Sequence, residues 1–383
     1  MPLEAMSTAR LRRSEIRAVR ICALLLVGVV PLTGCRSHGA EPAQLEAQAS
    51  SLAFSEFVVG PEVPLDPARN TLWSGSIKLA WDALGDELGR PLQVVGSAPW
   101  AAILATTEFD AGDVDPDSVV VLAGRAGPSL GSAVTRALAE RGSPPDPEFD
   151  QALADAPAGA LFAYAEIAKT LAFETRFDDL ASAPLPFQGA AEEQPTLVDA
   201  FGIGSFDWQD ANHKRLHEIL RYHESPDRAE FCVVLEPKSA RDRIVLARVA
   251  PGATLGATWE RAWALIEGNP THSLSAGDRF AAPEIDFDLS HRFRELEGLP
   301  LLSPDGSQTP LTNVQQRLRL KLDEAGMVLR SRAFMGVGSA AIIQPRELVF
   351  DRPFLLAAYE EGADAPYLLA WIAHPELLLP AAP

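Results

Sequence analysis

Gly127-Pro128-Ser129-Leu130-Gly131 has the spacing G-x-S-x-G, which in hydrolases sets a nucleophilic serine on a strained turn between strand and helix. Asp351 and His374 follow it in the chain order of a serine–acid–histidine set. The surroundings do not suit that chemistry. Three or four residues separate the motif from the apolar run 118–123, whereas a true elbow leaves its strand directly. Pro128 fixes φ where the turn needs freedom, and no alternating strand–helix pattern for a parallel sheet follows. A serine hydrolase using Ser129 is the lesser reading, and an ordinary strand-to-helix turn the better one.

His213 and His217 lie four apart, with Glu218 adjacent and His223 further on, so on a helix the two imidazoles could share one metal. A zincin needs Glu directly after the first His as general base, and here that place is Lys214. Surface histidines in a polar segment, without metal, are the expectation. The 52 acidic residues show no calcium-loop spacing and read as a solvated surface. No cofactor is expected. Cys232 sits in the apolar run 231–235 with no base indicated nearby, which describes a core thiol rather than a nucleophile.

The N-terminus carries a different chemistry. Arg10, Arg12, Arg13, Arg17 and Arg20 precede an apolar run, 21–32, and then Leu32-Thr33-Gly34-Cys35. This resembles a bacterial lipoprotein signal. The run is too short to span a bilayer as a helix, which takes about twenty residues. Residues 1–34 are therefore expected to be removed and Cys35 to carry a lipid on its sulfur. Arg36, rather than Asp, at the second mature position favours the outer membrane by analogy with sorting in two-membrane bacteria. Cys22 leaves with the signal, so Cys232 is left alone and no intrachain disulfide is expected. Removing 1–34 takes five basic and two acidic residues from the chain's 33 and 52, and the net charge becomes −22. That charge argues against nucleic acid or anionic lipid as partner.

The elements that must position these groups follow from periodicity. Residues 76–88 read as a helix with Ile77, Ala80, Trp81 and Leu84 on one stripe. Residues 118–123 read as a strand, 132–141 as a helix ended by Gly142, and 143–147 as a Pro-rich breaker. Residues 161–173 fit strand or helix, and 212–222 stay open between the two. Helices are expected over 257–267 and 290–297. Near the C-terminus, Leu318, Leu320 and Leu322 alternate with Arg317, Arg319 and Lys321, a half-buried strand. It ends in Asp323-Glu324-Ala325-Gly326. About two dozen residues without strong order signals follow, and then Phe350-Asp351-Arg352-Pro353-Phe354 and two apolar runs, 354–359 and 367–372. A loop that long inside a compact domain is usually functional or disordered.

In that order the C-terminal residues resemble the serpin family: pre-loop strand, acidic-acidic-x-Gly hinge, F-x-x-P-F re-entry, and a closing hairpin before Pro375 with Ala370 where the family has Gly. Asn70-Thr71-Leu72-Trp73-Ser74-Gly75-Ser76-Ile77 is similar to the family's N-x-x-x-S-P-x-S-I, one residue short and without its Pro. Phe173, Phe177-Asp178 and Pro186-Phe187 fall at the spacing of another family segment, and 219–237 and 280–302 resemble two more. The resemblance covers roughly 68–376. It implies an α+β, serpin-like fold: a large central, mostly antiparallel sheet, smaller sheets, several helices and an exposed reactive-type loop. The implied division is a signal peptide 1–34, a lipidated tether leading into the fold 35–67, the domain 68–376 and a tail 377–383.

The resemblance also implies a mechanism without catalysis by this chain. The loop 327–349 is offered as bait, a serine protease cleaves it and forms an acyl-enzyme, and the freed loop inserts as a strand into the main sheet. Hinge residues Glu324, Gly326, Met327, Leu329, Ser331 and Ala333 lead the insertion, the last four facing inward and none of those charged. Family spacing places the reactive bond at Ala340–Ala341, small residues that suit an elastase- or subtilisin-like protease. Ser74, Ser76 and Gln316 fall in the sheet-opening region, where Gln316 replaces the family's His and Ala165 its Asn. Between Phe149 and Phe173 there is too little chain for the family's sheet-covering helix and loop. Bulk at Met327 and Leu329, with Arg330 and Arg332, departs from the family hinge and keeps a rival reading open, a non-inhibitory serpin-fold binding or structural protein of the envelope. A monomer is expected.

Overall fold

The computed structural model describes residues 45–48, 51–89, 91–157, 160–303, 305–327 and 345–381. The largest sheet has seven strands in the order β10 (Leu220–Glu224), β11 (Phe231–Leu235), β12 (Asp242–Arg248), β19 (Phe354–Glu360), β20 (Leu368–Ile372), β3 (Asn70–Ser74) and β2 (Ser55–Phe57). All neighbours are antiparallel except β2 and β3. β11 and β20 are buried on both faces, so FCVVL and LLAWI show no alternation. Helix α6 (Leu255–Gly268) packs against β10, β11, β19 and β20 and covers one of those faces.

A four-stranded sheet follows the order β18 (Glu347–Val349), β13 (Arg279–Pro283), β9 (Ala200–Ile203), β6 (Asp178–Asp179). A three-stranded sheet has β14 (Ile285–Arg292) between β1 (Leu45–Gln48), which runs parallel to it, and β17 (Gln315–Leu322), which runs antiparallel. Among the described residues β4 (Val119–Arg125) and β5 (Leu161–Ile167) pair only with each other. Two short hairpins, β7–β8 (Leu185–Phe187, Thr196–Val198) and β15–β16 (Pro300–Leu302, Gln308–Pro310), complete the strands. The architecture is the α+β arrangement that the resemblance implies.

Helix α1 (Ser76–Glu87) lies against β4 and β5, burying Ile77, Trp81 and Leu84 as its stripe requires. Helix α2 (Pro99–Thr106) packs on α1. On the other side of β4 and β5 lie α3 (Pro128–Glu140) and the two-turn α4 (Pro147–Ala154), with Val120, Leu130, Val134, Leu138, Phe162 and Tyr164 forming an apolar cluster separate from the main core. This pair of strands and pair of helices thus has a small core of its own. No helix among the described residues is long and apolar enough to cross a membrane.

Four sequence expectations are resolved or corrected. Residues 212–222 are both of the alternatives in turn, since α5 (Ala211–Ile219) passes directly into β10. The helix expected at 290–297 is instead the end of β14 followed by turns, because Ile285, Phe287 and Leu289 alternate with period two and fix a strand there. The histidines expected at the surface are inside. His213 and His223 are buried and His217 is half-buried, each accepting or donating a hydrogen bond in a tertiary contact. Nor is the acidic complement all solvated, for Asp113, Asp242, Asp278, Asp288 and Glu360 are buried and paired or hydrogen-bonded.

Candidate functional site

β5 and β17 run toward the same end of the domain, where the chain after one meets the chain after the other. Among the described residues β5 is bonded on one side, to β4, and β17 on one side, to β14. No ladder joins β5 to β17 among the described residues. The seam between them is closed at its two ends. At the upper end Phe173 N donates to Ala325 O (2.9 Å), Phe177 N donates to Glu324 O (2.9 Å), and Arg176 lies 3.0 Å from the Glu324 carboxylate. At the lower end Glu148, on α4, accepts from Ser290 Oγ of β14 (3.3 Å) and from Gln315 Nε2 of β17. The two-turn helix α4 therefore reaches from β5, where Phe149 meets Phe162 and Tyr164, across to the opposite strands.

The turn that leaves β17 is built from its own residues. Asp323 Oδ1 accepts from Ala325 N (2.8 Å), and Gly326 N donates to Asp323 O (3.2 Å). Gly326 has φ of 124°, and a Cβ there would stand 2.4 Å from Leu171 O and 2.6 Å from Phe173 N. Only glycine lets the turn approach the opposite backbone this closely. Met327 is buried in the main core. Leu329, Ser331, Ala333, Ala340 and Ala341, like Cys35, lie outside the described residues.

Under the seam, the buried Gln316 donates through Nε2 to Ser76 Oγ (2.8 Å) and Ser74 O (3.2 Å), tying β17 to the start of α1. The three residues read from sequence as the sheet-opening region are thus in contact. Ala165 stands on β5 opposite Val121 and offers no polar group. Near the hinge, Glu284 joins β13 to β14. Burial first, then the charges of Glu324, Asp323, Asp179 and Asp199, push its carboxyl up to about 7. The far stem of the loop is held by Arg346, whose backbone N donates to Asp278 Oδ1 (2.6 Å). Its guanidinium lies 2.6 Å from Glu224 and 5.4 Å from the centre of the Phe231 ring.

One cluster escaped sequence reading. Lys169, two residues past β5, lies 2.6 Å from Asp242 of β12 and against Glu360 of β19, all three side chains at most 4 % exposed. Tyr367 OH and Ser239 Oγ donate to Asp242, and Asp115 N, just before β4, donates to Glu360 (2.5 Å). Burial and then Asp242 hold the Tyr367 phenol well above its usual range, so it stays a donor. The cluster ties the ends of β4 and β5 to the seven-stranded sheet. Residues 169, 242 and 360 share no spacing in sequence that could have announced it.

The alternative chemistries are not assembled. Ser129 stands on the first turn of α3, while His374 Nδ1 accepts from Glu376 N (3.1 Å) and its Nε2 faces Glu192 (3.4 Å). Asp351 is beside Arg248 at 3.5 Å. His213 Nε2 is 3.2 Å from Asp178, His217 Nδ1 is 2.9 Å from Leu274 O, and no metal-holding group of His, Cys, Asp and Glu occurs among the described residues. Cys232 is buried, and that burial pushes its thiol up to about 12.

No family model matches the chain, and no curated protein matches it. Solved structures with a similar course of chain are serpins. Serpin48 of the insect Tenebrio molitor is 9 % identical, covering 80 % of this chain and 92 % of its own, with a TM-score of 0.41. SRPN18 of Anopheles gambiae is 12 % identical, over 81 % and 93 %, with a TM-score of 0.47. Thyroxine-binding globulin in complex with thyroxine is 11 % identical, over 81 % and 94 %, with a TM-score of 0.43. At such identities no activity passes from those proteins to this one. The chain's own order of elements is a pre-loop strand, a glycine hinge against β5, a return through β18 and a closing β19–β20 hairpin inside the seven-stranded sheet. Its fold is serpin-like.

Proposed function

We propose that this is an exported, lipid-anchored inhibitor of serine proteases that acts through the loop 327–349. One observation carries the reading: among the described residues no ladder joins the strand that feeds the loop to the strand opposite it, and the hydrogen bonds across lie at the two ends. A chain that turns back at Gly326 runs antiparallel to β17 and to β5 alike, and so can satisfy both rows of backbone groups. Cleavage at Ala340–Ala341 frees one end of the loop while the acyl bond to Ala340 keeps the protease attached. Met327, the first residue of the inward set, is buried, which supports this reading.

A second reading is a serpin-fold binding or structural protein that does not inhibit. The buried Gln316–Ser76 contact favours it, because it fastens β17 to α1 beneath the seam that insertion has to widen. Nicking the loop of the mature protein with a nonspecific protease separates the two. An inhibitor gains a strand on nicking, and its melting temperature rises by at least about 10 °C, several kcal/mol for a chain of this size. A cut loop with an unchanged melting temperature leaves the second reading.

A further inference from the structure

The outer edge of β4 is one that the fold does not blunt. Ala126 N donates to Ala160 O (2.7 Å) and Ala168 N to Ser118 O (2.9 Å) at the two ends of the β4–β5 ladder. Bonding toward one partner recurs at every second residue of an antiparallel strand. The even-numbered residues of β4 therefore bond to β5. The N–H and C=O of Val121 and Ala123 point the other way, where no hydrogen bond reaches them among the described residues. Val121 packs on the main core and Leu122 on the small cluster, so both faces of the strand are covered. Residues 121–124 are half-buried all the same, and the exposure that is left lies along the edge.

The edge of the seven-stranded sheet at β10 is treated differently, for Tyr222 and His272 exchange both backbone bonds there (2.9 and 2.8 Å). β4 carries no Lys, no Pro and no bulge over VVVLAGR, the usual devices against edge pairing. A ribbon of two strands is also marginal by itself.

The strand is complementary to itself. Laid antiparallel on a second copy with Leu122 opposite Leu122, it sets Val121 against Ala123, Val120 against Gly124 and Val119 against Arg125. Larger side chains then meet smaller ones, and the backbone groups of Val121 and Ala123 in both copies close four hydrogen bonds. Asp117 and Arg125, both exposed, fall on a diagonal at each end, a separation that long side chains span. A shift of two residues one way leaves Ala123 O facing a Val119 N that already donates to Pro116 O. The same shift the other way carries Arg125 away from Asp117.

We propose that a second copy of this chain occupies the β4 edge, so that two β4–β5 pairs join as one four-stranded antiparallel sheet in a two-fold dimer. It stands in place of the monomer expected from sequence, and it depends on neither the bait loop nor the lipid anchor.

Four backbone bonds and two exposed ion pairs describe a weak dimer, with Kd about 1–100 μM. Sedimentation equilibrium of the mature protein in nonionic detergent should show the mass double across that range. Ala123→Pro removes an outward N–H and no bond to β5, and should weaken the dimer at least tenfold. Arg125→Asp should weaken it at least threefold, and adding Asp117→Arg to the same chain should restore it. Leu122→Cys should oxidise to a cross-linked dimer that the wild type does not give, since opposite residues of a non-hydrogen-bonded pair stand about 4.5 Å apart at Cα. Should Ala123→Pro not fold, the charge swap and the cross-link decide alone. A monomer at every concentration overturns the proposal. A dimer that neither the charge swap nor the cross-link touches lies on another surface and overturns it too. Val121 and Ala123 amides that resist exchange in dilute monomer would mean that the chain covers its own edge, which excludes the second copy.

Discussion

Replacing Lys169 with Met removes a buried cation that faces both Asp242 and Glu360, without changing the volume of the site much. The side chains of all three are at most 4 % exposed. Taking away one partner of a buried ion pair leaves an uncompensated charge and costs about 3–5 kcal/mol. Here the carboxylates keep Ser239 Oγ, Tyr367 OH, Asp115 N and, at 3.2 Å, the largely exposed Arg241, so the loss should fall near the lower end, about 3 kcal/mol. The assay is urea unfolding of the mature protein, with amide exchange followed along β4 and β5. Wild type and Lys169→Met should differ in midpoint with similar slopes, and exchange should quicken more in β4 and β5 than in β11 and β12. The double variant Lys169→Met/Glu360→Gln should recover about 1–2 kcal/mol by removing one of the stranded charges. A loss under about 1 kcal/mol, or none recovered by the second change, refutes the claim that this is a dry, coupled cluster.

Gly326→Ala should cost about 2–4 kcal/mol, since the new Cβ meets Leu171 O at 2.4 Å in a backbone region that disfavours alanine; an unchanged urea midpoint sinks the close-approach argument. Glu284, held up to about 7 by burial and then by its acidic neighbours, keeps in the folded state a proton that the unfolded chain releases near 4.5. Its contribution to stability is therefore complete below about 4.5 and is lost as pH rises through about 7. Allowing for its partial exposure, the loss is about 1–2 kcal/mol. Glu284→Gln should flatten that part of the stability–pH curve, and identical curves for the two proteins contradict the assignment.

What the sequence disclosed and what it withheld divide along a physical line. β17, α1, α6 and the β19–β20 pair were legible because each has its own period or its own turns, and local pattern and tertiary context agree. The end of β14 was misread since SHRFRELE, the strand's last three residues and the turns after them, is polar enough for a surface helix, and the burial of the strand's alternate residues depends on β17 and β1. The hinge glycine could be placed from the acidic-acidic-x-Gly motif, but the reason for it, the backbone at 171–173, is about 150 residues away. The same distance hides the Lys169 cluster and the Glu148 bridge. Both are contacts between elements far apart in the chain, and no periodicity encodes them.

The strengths of three ties between the β4–β5 unit and the rest predict how the seam opens. To admit a strand, β5 and β17 must stand two strand spacings apart, about 10 Å. The unit of β4, β5, α3 and α4 has its own apolar cluster on one face, and on the other it must slide over α1 to move. Its ties to the rest differ widely. Lys169 is buried among carboxylates, and parting it from them costs several kcal/mol. The Glu148 bridge at the lower end joins an exposed carboxylate to the exposed Gln315 and the buried Ser290, with no opposite charge, and contributes about 1 kcal/mol. The backbone bonds of Phe173 and Phe177 to the hinge lie between these limits. The unit should accordingly swing about its Lys169 end, with Glu148 releasing first and the lower seam widening most. Gln316 remains on the α1 side of that motion, bonded to Ser74 and Ser76, so β17 stays fixed while β5 moves. A bait loop entering from Gly326 then meets one stationary edge and one yielding edge, and the speed of its insertion is set on the yielding side.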